Sequence, residues 1–148
     1  MNRMASICLI TPPSIFLLDE RVFMTLGILR VAAVLEAAGH AVEMLDLSGI
    51  ENFEEVVRLH AKTSKALFFG LTATTPQMPA AFKLARAVRQ TCPEAKLILG
   101  GPHITLVNAA CKGEATRRMT GRAQKALATM SEVFDILVAG DGEQAVFE

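Results

Sequence analysis

Tryptophan and tyrosine are absent from the 148 residues, and eight phenylalanines supply all the aromatic rings. Base stacking needs flat aromatic faces, so a nucleic-acid platform has little to build on. No sign of charge dominates either: 15 Lys and Arg balance 15 Asp and Glu. That excludes the basic surface of a polyanion binder. Cysteine is sparse, with Cys8, Cys92 and Cys111 far apart. They form no CxxC pair, and no Cys/His cluster has zinc spacing, so neither a disulfide framework nor a metal site is expected. A reduced, cytoplasmic compartment follows as the expectation. No apolar run reaches the roughly 20 residues of a spanning helix, so no membrane partner is expected. The start "MNRMASICLITPP" breaks at Pro12-Pro13 without a small-residue cleavage site, so no signal peptide is read. Phosphate signatures are missing too. There is no G-x-G-x-x-G, no Walker loop, and no paired Asp of a phosphate-receiver module.

What is present is apolar and regularly alternating. Half the residues are hydrophobic and a fifth are charged, which is globular composition. Near-continuous runs at 5–11, 41–46, 66–72, 96–100 and 134–140 read as parallel strands covered on both faces. Helical spacing lies between them. In the segment 22–40, Leu26, Leu29, Ala33 and Ala37 make one stripe that Val22 extends, and Gly39 ends the helix. Residues 52–63 place Phe53, Val56, Val57 and His60 on one side, and 80–93 place Phe82, Leu84, Ala85, Val88 and Cys92 inward. Residues 114–133 read as one more polar helix with Gly121 weakening its middle, and 107–133 is longer than a minimal crossover, as an insertion would be. The alternation predicts an α/β fold: a doubly wound five-stranded parallel sheet, Rossmann-like, in the flavodoxin-like order 2-1-3-4-5.

In such a sheet, ligands bind outside the carboxyl ends of the strands. Those ends are "TPPS" (Thr11, Pro12, Pro13), "DLSG", "TATTPQM" (Thr72, Ala73, Thr74, Thr75, Gln77, Met78), "GGPHIT" (Gly100, Gly101, Pro102, His103) and "GDGE" (Gly140, Asp141, Gly142, Glu143). None offers a nucleophile–base pair. Alone, Gly100-Gly101 reads as a turn with Pro102 fixing the exit. The other reading is that missing Cβ atoms let a large flat ligand approach the backbone. "GDGE" has the same two readings, with Glu143 able to cap a following helix. The hydroxyls of "TATTPQM" either satisfy their own backbone or bond a ligand, and Gln77 and Met78 are long enough to reach across one. Asp46 stands where an acid holds a ribose, without the glycine loop. His40 reads as part of a turn and His60 as surface or core edge. His103 alone among the histidines stands at a strand end.

Taken in order and spacing, "TPP", "GILRVAAVLEAAGHAVEMLDL", "FGLTATTP", "LILGGPHIT" and "FDILVAGDGE" resemble the cobalamin-binding domain that precedes the catalytic barrel in many radical-SAM enzymes. The resemblance implies that Thr72 and Gly100-Gly101 accommodate the nucleotide tail, and that the turn from Gly140 to Glu143 leads toward the barrel. With the strand-end placement it makes Thr11, Pro12 and Pro13, Thr72 to Thr75, Gln77 and Met78, Gly100 to His103 and Gly140 to Glu143 the candidate cofactor contacts. It implies cobalamin as cofactor and the barrel as partner, with methyl transfer the commonest chemistry. The D-x-H-x-x-G loop of His-ligated carriers is absent from "TPPSIFLLDE". The implied state is therefore base-off cobalamin with no His from that loop on cobalt, its lower face covered by the "TATTPQM" loop. The C-x-x-x-C-x-x-C of a radical-SAM cluster is absent as well. A [4Fe–4S] cluster and S-adenosylmethionine are thus expected of a parent enzyme and not of this chain, which reads as one domain, 1–148, lacking its barrel. The alternative is a flavodoxin-like regulatory or interaction module without cofactor, and a flavin or nucleotide binder is disfavoured by the missing phosphate loop.

Overall fold

The apolar runs pair side by side in one sheet. Strand β1 (Ser6–Thr11) lies between β2 (Ala41–Asp46) and β3 (Phe68–Thr72), followed by β4 (Lys96–Gly100) and β5 (Ile136–Leu137). All pairs are parallel, in the order β2-β1-β3-β4-β5. The structure, a computed structural model, describes residues 4–14 and 25–145. The connecting helices are α1 (Leu26–Ala37), α2 (Phe53–Thr63), α3 (Met78–Thr91), α4 (Pro102–Thr116), α5 (Arg122–Val133) and the short α6 (Gly142–Ala145). No helix among the described residues is long and apolar enough to cross a membrane.

Side chains alternate across the pleat, so the central strand β1 feeds a core on each face. Cys8, Ile10, Phe69, Leu71, Leu97 and Leu99 face one side, where α2, α3, α4 and α5 bring Val57, Leu84, Val88, Ile104 and Met130. Ile7 and Leu9 face the other, where α1 brings Ile28, Ala32 and Leu35. Phe69 is fully buried, and truncating it to Ala costs about 3–5 kcal/mol by the usual core rule.

Three expectations change. The inward stripe of α1 is Ile28, Ala32 and Leu35, whereas Leu26 and Leu29 are 64% and 41% exposed. Ala33 and Ala37 are also exposed, and Val22 lies outside the described residues. The helix is apolar on two sides, so spacing alone did not choose the face. Residues 114–133 are not one helix: α4 runs to Thr116, and α5 starts after Gly121. Arg118 turns the chain at φ 54°, and the Glu114 carboxylate accepts hydrogen bonds from the amides of Gly121, Ala123 and Gln124 at 3.0–3.1 Å. Gly121 therefore begins a helix rather than weakening one, and the extra length of 107–133 is an α4–α5 hairpin. The fifth strand is only two residues long; just before it the Asp135 carboxylate accepts from the Leu97 amide (2.8 Å) and pairs with Arg89 (2.6 Å).

Candidate functional site

Parallel strands end together, so their carboxyl turns share one edge. Hydrogen bonds join these turns in sequence. The Thr74 amide and hydroxyl both donate to Gln77 Oε1, at 2.9 and 3.0 Å, and Gln77 Nε2 donates to the Pro12 carbonyl at 2.9 Å. That ties the β3 turn to the β1 turn. The Ala73 amide donates to Gly100 O (3.2 Å), and the His103 amide donates to Ala73 O (3.0 Å). Thr75 Oγ1 lies 2.9 Å from His103 Nδ1. Thr105 Oγ1 donates to Gly101 O and accepts from the Gly140 amide, both at 3.0 Å, which brings in the β5 turn. Glu143 pairs with Arg30 of α1 at 2.8 Å instead of capping α6. Asp46 is turned locally, accepting from the Ser48 amide and hydroxyl.

Burial sorts the candidates. Thr11, Pro12, Pro13 and Ala73 are buried, and Met78 is a core residue at 6% exposure. Met78 therefore does not reach across a ligand face, and the Gln77 amide is spent on the two turns. Thr74, Thr75, Pro102, Gly140 and Asp141 are exposed, while Thr72, Gly100, Gly101, His103, Gly142 and Glu143 are half-buried. Part-burial pushes the His103 imidazole below its ordinary value, favouring the neutral ring.

The two glycines differ in kind. Gly101 has φ 98°, and a Cβ there would meet Thr72 Oγ1 at 2.6 Å and the Ala73 nitrogen at 2.8 Å. Its missing Cβ admits Thr72, a neighbour within the fold. A Cβ on Gly100 would find nothing nearer than Val138 O at 3.9 Å. At Gly140, with φ 96°, no atom of the described residues lies within 4 Å of that position. Among the described residues, Gly100 and Gly140 thus leave backbone uncovered at the edge, beside hydroxyls and an imidazole. Among the described residues the turns offer hydrogen-bonding groups, with Thr75 and His103 as the one hydroxyl–imidazole pair.

A family model for the B12 binding domain matches residues 20–130. The chain belongs to the B12-binding domain family. The matched span includes the β3 and β4 turns of the edge and stops before the β5 turn. Among solved structures, the chain is similar to TsrM, a radical S-adenosylmethionine methyltransferase from Kitasatospora setae, with a TM-score of 0.57 and 15% identity. That likeness covers 69% of this chain and 20% of TsrM, and at this identity it speaks for the fold. No curated protein sequence matches.

The residues present suit the group this family binds. A corrinoid is bulky, with amide arms and a single phosphate in its tail. Among the described residues the edge presents backbone at Gly100 and Gly140 with hydroxyl and imidazole partners. Thr105 was not singled out by the sequence, although it joins the β4 and β5 turns. Its hydroxyl is one residue beyond His103's neighbour Ile104, and only the fold shows that it faces Gly140.

Proposed function

We propose that this B12-binding domain holds cobalamin across the carboxyl edge and serves a longer, cytoplasmic radical-SAM enzyme of the methyltransferase class. The observation that carries the reading is the family match over residues 20–130, whose β3 and β4 turns lie within the hydrogen-bonded edge that runs from Pro12 to Gly140. Thr74, Thr75 and His103 would bond the amide arms or tail, with Gly100 and Gly140 giving close approach. The "GDGE" turn, held to α1 by Arg30, leads toward the barrel. Cobalamin, when bound, supplies a cobalt centre suited to methyl transfer. The chain's part is to bind and orient it and to keep water from its covered face.

Three supports define the finer reading. Residues 12–25 contain no histidine, so the first-strand loop offers cobalt no imidazole, which supports resemblance to the radical-SAM group and its base-off cobalamin over the His-ligated carriers. The three free cysteines lack C-x-x-x-C-x-x-C spacing, so the [4Fe–4S] cluster and S-adenosylmethionine belong to a barrel outside residues 1–148. TsrM, of which the likeness covers one-fifth, is itself a radical-SAM methyltransferase. The test is electron paramagnetic resonance of the domain loaded with cob(II)alamin. The expected spectrum lacks nitrogen splitting from an axial base. Nitrogen splitting that persists would overturn the base-off, His-free assignment.

A further inference from the structure

We propose that Cys8, Glu43 and His60 form a binding site for a divalent transition cation of the zinc class. It lies away from the carboxyl edge and does not rest on the cobalamin reading. Cys8 of β1 and Glu43 of β2 are direct register partners, so their side chains leave the same face of the sheet side by side. His60 of α2 closes over them. Its Nε2 is 3.5 Å from Cys8 Sγ and 2.8 Å from Glu43 Oε2, and the three donor atoms all lie within 4.8 Å of one another.

Tetrahedral zinc, with Zn–S about 2.3 Å and Zn–N about 2.0–2.1 Å, sets sulfur and nitrogen roughly 3.5 Å apart. The Cys8–His60 separation already has that value. His60 and Glu43 need to part by roughly half an ångström to admit the ion, given metal–oxygen bonds of about 2.0–2.2 Å. Thiolate, imidazole and carboxylate together are a borderline-soft set that suits zinc over magnesium or calcium. The carboxylate is already oriented, because Ser64 Oγ donates to Glu43 Oε2 at 2.8 Å and is itself held by the Ala66 amide at 2.9 Å. Such support is what metal-ligating carboxylates ordinarily have.

The site has a way in. Cys8 is fully buried, but the His60 and Glu43 side chains are 29% and 32% exposed at edge strand β2. The fourth position falls to water, and the Cys8 proton leaves to solvent as the sulfur–metal bond forms. A bound ion ties β2 and α2 to β1. None of this shows in the sequence, where the three ligands stand 35 and 17 positions apart in chain order.

The experiment uses the 148-residue chain carrying Cys92→Ser and Cys111→Ser, so that Cys8 is the sole thiol. The protein is stripped with chelator and titrated with cobalt(II). We expect a thiolate-to-cobalt charge-transfer band that saturates at one equivalent and is abolished by zinc. Adding Cys8→Ser removes the band, and Glu43→Gln weakens binding at least about tenfold. X-ray absorption of the zinc-loaded double variant needs no further substitution: one sulfur at about 2.3 Å supports the site. Absence of the band, its survival in Cys8→Ser, or zinc with only nitrogen and oxygen neighbours would overturn it.

Discussion

Gly101 and Gly100 are adjacent, yet substitutions at them report on different things. At Gly101 an Ala must accept φ 98° and push against Thr72 Oγ1 and the Ala73 backbone. Left-handed backbone costs about 1–2 kcal/mol and overpacking about 1–3 more. Gly101→Ala should therefore lower stability by about 2–5 kcal/mol, or roughly 5–15 °C in Tm at this chain length, by thermal denaturation. Gly100→Val meets only Val138 at ordinary contact distance, so Tm should stay near wild type while cobalamin retention falls. The sequence marks the pair as a strand end but not which member abuts β3, because that depends on how closely two strands approach. Gln77 is similar: its length hints at a ligand, and only the fold shows both ends of its amide engaged.

Within elements, the clearest case is α1, whose outward leucine and inward leucine look alike in the sequence. Leu35→Ala should cost about 2–5 kcal/mol in denaturant unfolding, as a buried leucine does. Leu29→Ala should cost well under half of that, being 41% exposed. The α4–α5 corner rests on Glu114. Amides donated first by Ala123, and also by Gln124 and Gly121, hold its carboxyl below the ordinary value of 4.5, against a smaller opposing effect of desolvation. Since the folded form binds its proton less readily, the stabilisation is fully present above pH 4.5 and fades as pH falls through the folded value. Glu114→Gln should lower Tm by a few degrees at pH 7 and bring the two proteins' Tm values together in acid. A gap that stays constant with pH would contradict the cap. The corner was hidden in the sequence because Arg118 and a carboxylate ten residues before Gln124 stop the helix, and neither is a conventional stop signal.

For the molecule as a whole, strand order was legible because buried parallel strands leave near-continuous apolar runs, and the runs at 41–46 and 96–100 match β2 and β4 residue for residue. Short connections between them leave few windings. The candidate edge was legible as a place, since strand ends in such a sheet must converge. Its internal wiring was not, because Thr105 to Gly140 and Gln77 to Pro12 are contacts across the fold. The account's central claim is that this edge binds cobalamin. The direct measurement is the visible spectrum after incubation with hydroxocobalamin and desalting, wild type beside Gly100→Val. The account predicts an equimolar corrinoid spectrum in the wild type and marked loss in a variant of unchanged Tm. A wild-type protein that desalts colourless, or a variant that retains cobalamin equally, would contradict it.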